Sequence, residues 1–144
     1  MGDKYQIRKK KATPDKISKE RETADEEQRG DGGPLFCFKH LDLNVSLKGC
    51  DHITYKHFVH RLCKMSELTW EQINRSGKHQ FGFELIPKKQ IKQKKFPPIV
   101  TDDMEKLPVF RYTGDNHPFV CVIQRGVIYP IFIEANFGDV YNHG

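Results

Sequence analysis

Apolar positions in this chain change rhythm twice, and the most regular stretch is the last quarter. From Leu107 onward, apolar and β-branched residues come in blocks of about six, each closed by Gly, Asn or Asp, the pattern of a β-meander. The spacing predicts strands over 107–112, 118–124, 127–133 and 138–142. Turns are expected at Thr113–Asn116, Arg125–Gly126 and Asn136–Gly138. Upstream, LFCFKHLDL from Leu35 alternates and predicts a first strand with Phe36 and Phe38 on one face. Phe81–Ile86 alternates again and predicts a second strand, closed by Pro87.

Between those two strands the period becomes helical. Asp51 or Thr54 is suited to cap a helix on which Tyr55, Phe58, Val59, Leu62 and Met65 fall within roughly 120°, one core-facing stripe. Lys56, His57, His60, Arg61 and Lys64 share the opposite, basic side. Thr69-Trp70-Glu71-Gln72 has the form of a capping box and predicts a second short helix, with Trp70 and Ile73 turned inward and Ser76-Gly77 as its end. Lys88, Lys89, Lys92, Lys94 and Lys95 form a basic linker. Phe96-Pro97-Pro98 then runs extended, and Thr101–Glu105 fits one helical turn. The expected fold class is α+β: an N-terminal strand, a helical hairpin and an antiparallel meander.

Residues 1–33 read differently. Apart from Tyr5, Ile7 and Ile17 they hold almost nothing to bury, so they are expected to form a disordered charged tail, basic at Arg8–Lys11 and acidic at Asp25–Glu27. Residues 34–144 are then a single domain. No apolar run approaches the roughly 18 residues of a membrane span and no apolar leader opens the chain, so no membrane partner and a cytoplasmic location are expected. The formal net charge of +5 favours an anionic partner.

Four cysteines (Cys37, Cys50, Cys63 and Cys121) lie far apart without a CxxC pair, which fits reduced thiols rather than a disulfide framework or a zinc ribbon. Cys37 and His40, three apart on a strand, would face opposite ways. No metal or other cofactor is expected. Cys121 sits between Val120 and Val122 and reads as a small strand hydrophobe.

One chemistry fits the remaining polar residues. RNA cleavage by the neighbouring 2′-OH needs a base, an acid and a fixed cation, which Arg, Tyr and His at the open end of a sheet supply. Arg111 and Tyr112 close one predicted strand, Arg125 sits in a hairpin, and Asp139, Tyr141 and His143 lie near the chain's end. Because alternate ends of a meander share an edge, Arg111 is expected to meet Tyr141 or His143. The structural alternatives stay open: a strand surface residue for Arg111, a turn residue for Arg125, an aromatic plug for Tyr141 and a frayed end for His143.

A strand, a helical hairpin and a meander ending in Asp139-x-Tyr141-x-His143 resemble the RelE/ParE-type toxin architecture in element order over residues 35–144. The chain is also similar to small bacterial and mobile-element proteins that open on a Phe-Cys-Phe strand and close on Tyr-x-His, a likeness that implies no activity. The toxin resemblance implies a metal-independent endoribonuclease, or a toxin-like RNA-binding protein, acting on RNA or the ribosome and held by an antitoxin. Arg111, Tyr141 and His143 would be catalytic. Lys56, His60, Arg61, Lys64, Lys88, Lys89, Lys92, Lys94, Lys95, Tyr112 and Arg125 would grip RNA. The rival reading is a non-catalytic protein-interaction module of a phage or mobile element, working through a sheet edge or the tail; whether the chain is an enzyme is left open.

Overall fold

A computed structural model describes residues 32–112, 117–136 and 138–141. The expectations of a disordered tail, of a turn at 113–116 and of a role for His143 lie outside the described residues, the tail expectation reaching only Gly32 and Gly33 within them.

The fold is α+β. In chain order the elements are β1 (Leu35–Phe36), α1 (Leu43–Ser46), α2 (His52–Ser66), α3 (Trp70–Arg75), β2 (Phe83–Pro87), a 3-10 turn at Lys88–Gln90, β3 (Lys106–Arg111), β4 (Pro118–Gln124) and β5 (Val127–Ile133). The five strands form one sheet in the order β1-β5-β4-β3-β2. Its pairs are antiparallel, except that β1 runs parallel to β5 with Leu35 opposite Val127.

Local chemistry explains most of these boundaries. Asp51 caps α2 by accepting from the Thr54 N–H, and Thr69 with Gln72 forms the reciprocal capping box of α3. Arg125 and Gly126 both adopt positive φ, 52° and 77°, which matches the two-residue turn whose twist suits the β4–β5 hairpin. The predicted first strand is cut to two residues. After Phe36 the backbone follows the β5 edge irregularly, Cys37 N–H donating to Ile128 and Asp42 N–H to Ile131, and Asp42 then caps the unforeseen helix α1. Thr101–Glu105 makes a turn rather than a helical turn. Residues 138–140 form a turn and bends and Tyr141 a single bridge to Ile91, in place of the predicted fourth strand of the meander, whose last position, 142, lies outside the described residues.

Both faces of the sheet are covered. On one, Phe58, Leu62 and Met65 of α2 and Ile73 of α3 pack against Phe110, Tyr112, Phe119, Cys121 and Ile128. Phe110 and Phe119 stack at 5.4 Å, and Phe58 meets Phe119 edge-on at 5.3 Å. On the other face Leu107, Val109, Val120, Val122 and Phe132 lie beneath Ile91, Phe96, Ile99, Val100 and Met104 of the linker, joined by Val45 of α1 and by Val140 and Tyr141. Ile131 is the extra residue of a bulge opposite Val120 and Cys121, which lets Ile131 and Phe132 join the same layer.

The predicted stripe of α2 is only partly inward. Tyr55 and Val59 are exposed, because the sheet beneath α2 is met by the turn-to-turn row Phe58, Leu62, Met65 and reaches no further round the helix.

Candidate functional site

The sheet end does bring Arg111 and Tyr141 together. Arg111 closes β3 on the face that carries Leu107 and Val109, and β2 places Glu84 opposite Val109 on that same face. The Arg111 Nη2 donates to Glu84 Oε1 at 2.5 Å, and Lys78 Nζ contacts Glu84 Oε2 at 2.9 Å. The guanidinium lies 5.8 Å from the centroid of the Tyr141 ring.

Tyr141 is delivered by Glu134, which sequence reasoning missed. Glu134 is fully buried just after β5, and its carboxylate accepts from the backbone N–H groups of Gly138 at 2.9 Å, Val140 at 2.8 Å and Tyr141 at 3.3 Å. Its own carbonyl accepts from the Tyr112 hydroxyl at 2.6 Å. Tyr141 then bridges to Ile91, while the Lys92 N–H donates to the Val140 carbonyl and Lys92 Nζ to that of Gly138. The result is a strap, 138–141, pinned between the linker and the sheet.

Arg111 and Tyr141 are both buried. The Arg111 side chain is only 6% exposed and its charge is already matched by Glu84. Its Nε and Nη1 are buried and make no hydrogen bond among the described residues. Burial raises the Tyr141 phenol above its ordinary range, with the Arg111 charge opposing in part, so the phenol is no base near neutrality. For Glu84, burial pushes the carboxyl up, but the hydrogen bond from Lys78 and the charge of Arg111 outweigh it and hold the group below its ordinary value. Glu84 stays an anion locked onto Arg111.

Other expected site residues scatter. Tyr112 is a core residue, 2% exposed, not an RNA contact, and burial drives its phenol far upward. Arg125 sits in the β4–β5 turn, whereas Arg111 pairs with Pro118 at the opposite end of β4, so the two do not converge. Among the linker lysines, Lys88 reaches the Thr101 carbonyl and the Phe96 ring, and Lys92 and Lys94 bond to backbone carbonyls. Lys89 and Lys95 are exposed. A cleft of about 440 Å³ lies beside Lys88, Lys89 and Lys106, but Asp102 and Glu105 line it as well, so it has no single charge.

The basic side of α2 is different. Lys56, His57, His60 and Lys64 are exposed, and the helix contains no Asp or Glu. None of the ion pairs among the described residues involves it. Arg61 is the exception within the predicted set. It is half-buried, donates to the Gln80 carbonyl and lies 4.7 Å over the Phe81 ring, so it ties α2 to the turn before β2.

Among the described residues, no three His, Cys, Asp or Glu side chains are gathered as metal ligands would be, and no helix is long and apolar enough to cross a membrane. A weak signal for Glu84 was present, a polar residue within an alternating strand; Glu134 looked like any acid past a strand end. Comparison of the chain with protein-family models, with curated proteins and with solved structures finds no match.

Proposed function

We propose that this chain is a nucleic-acid-binding protein, with RNA as its expected partner, and that it grips the phosphates through the exposed face of α2 without a nucleolytic site at the sheet end. The observation that carries the reading is the unneutralised row Lys56, His57, His60 and Lys64 on a helix with no acidic residue. Lys89 and Lys95 add charge outside that row. The likeness in element order to RelE/ParE-type toxins adds support for RNA as the polyanion and for an antitoxin-like protein as a further partner. Cleavage is set aside because Arg111 is buried and paired with Glu84 and Tyr141 is buried within the strap.

The test is fluorescence anisotropy with a labelled RNA oligomer across a salt series. Affinity should fall steeply with salt, and Lys56→Glu with Lys64→Glu should reduce the slope by about 0.7 per lost phosphate contact on a single strand. The RNA should be recovered intact. Binding that ignores both salt and these substitutions, or cleavage that Tyr141→Phe abolishes, would overturn the reading.

A second reading rests on the β2 edge. Glu84 and Ile86 face β3 in the ladder that Lys88 N–H continues to the Glu105 carbonyl, so Phe83 and Leu85 turn their backbone N–H and C=O groups outward. Leu85 is 54% exposed. Such an edge suits a protein partner that adds a strand; binding of that kind would persist in high salt and be lost on Leu85→Pro.

A further inference from the structure

The exposed face of α2 carries more than charge. Going round the helix at 100° per residue from Lys64 through His60 and Lys56, the next side chains include Cys63, Val59, Tyr55, Leu62 and then Phe58. Val59 and Tyr55 are 55% and 38% exposed, although they belong to the stripe that ought to be inside. Phe38, 46% exposed, sets its ring edge-on to Phe58 of the same helix at 6.2 Å. Phe38 is held in place by its neighbours: Cys37 N–H bonds to Ile128, and the Phe38 carbonyl accepts from Leu41 N–H. A row of basic side chains therefore borders a face with two exposed aromatic rings.

We propose that this combined face binds single-stranded nucleic acid, with bases stacked on Phe38 and Tyr55 and the backbone following Lys56, His60 and Lys64. The proposal rests on the nucleic-acid reading above and adds the strandedness of the ligand. In a duplex the base faces are already occupied by their neighbours, so exposed rings beside the phosphate row gain nothing. A single strand offers base faces and phosphates side by side, and sequence-tolerant stacking on aromatic rings supplies much of its affinity. Charge complementarity singles out this occupant, since helix α2 contributes cations and no anion.

The experiment compares a short oligouridylate, the same strand annealed to its oligoadenylate complement, and an acidic peptide of matched charge, in the full chain. The variants are Tyr55→Ala and Phe38→Leu, which remove a π-face at exposed positions, with the unfolding midpoint of each measured to confirm that it folds. The single strand should bind more tightly than the duplex, each ring variant should weaken it about tenfold, and the salt slope should stay unchanged. Equal affinity for the duplex, or ring variants that bind like the parent while Lys56→Glu/Lys64→Glu does not, would overturn the single-strand assignment and leave the basic face intact. Displacement by the acidic peptide with the same ring dependence would reassign the face to a protein partner. No oligomer bound at all would overturn both readings.

Discussion

Replacing Glu134 with Ala should be among the most damaging single changes outside the apolar core. The carboxylate accepts three backbone N–H groups, of which those of Val140 and Tyr141 are buried. If the strap stays in place, two buried donors lose their acceptor at about 1–3 kcal/mol each. If it lets go, the burial of Val140 and Tyr141 is forfeited, about 1.5–3 kcal/mol each, offset by the chain entropy that four freed residues regain. The chain takes the cheaper route, so about 2–6 kcal/mol, the cost with the strap still in place, is the ceiling of the loss. Urea unfolding followed by the single tryptophan, Trp70, which packs against the α2 side of the sheet, reports that loss. Hydrogen exchange at the Val140 and Tyr141 amides reports the strap itself. Glu134→Gln keeps one oxygen for Val140 and Tyr141 and turns an amide toward the Gly138 N–H, so it should cost less, about 1–1.5 kcal/mol. An Ala variant within 0.5 kcal/mol of the parent, with both amides still protected, would refute the role assigned to this carboxylate.

Three further outcomes follow from the same contacts. Arg111→Ala should cost about 2–3 kcal/mol in urea unfolding, below the usual figure for breaking a buried pair because Lys78 remains on Glu84. The folded-state pKa of Glu84 is depressed, so its contribution is present above the ordinary value of 4.5 and is lost as pH falls through the lower folded value. Glu84→Gln should therefore lose less stability than the parent between pH 7 and pH 3, and parallel curves would contradict this. Ser46→Ala removes the acceptor of the buried Ile133 N–H, 3.1 Å away, and should lower stability by about 1–3 kcal/mol, read as a shift in the thermal midpoint.

The central strands were legible because each repeats a block of apolar residues between turn formers. The predicted spans 118–124 and 127–133 coincide with β4 and β5, and 107–112 lies one residue from β3. The Asp51 cap and the Thr69 capping box were equally readable, since their chemistry is local. Helix α1 was not. Its four residues carry no period and are held by Asp42 and by the distant Ser46–Ile133 hydrogen bond. At the sheet end, Arg111 was expected to meet Tyr141 through a fourth meander strand that does not form; the meeting and the burial of both residues depend instead on Glu84 and Glu134, whose partners are set only by tertiary packing. The outward turn of Tyr55 and Val59 was hidden for the same reason: helical period marks an apolar side but cannot say how much of it a neighbour covers.

The sheet order β1-β5-β4-β3-β2 also fixes a timetable. Its middle strands are made after both α2 and α3, and the first strand must wait at the rim until β5 arrives, Leu35 pairing with Val127. During synthesis α2 and α3 emerge with no sheet to cover, leaving Phe58, Leu62, Met65 and Ile73 open to water or to a chaperone until β3 to β5 have left the ribosome. A chain wired in this way forms its layers together or not at all, so a nascent fragment that stops before β4 holds amphipathic helices and no domain.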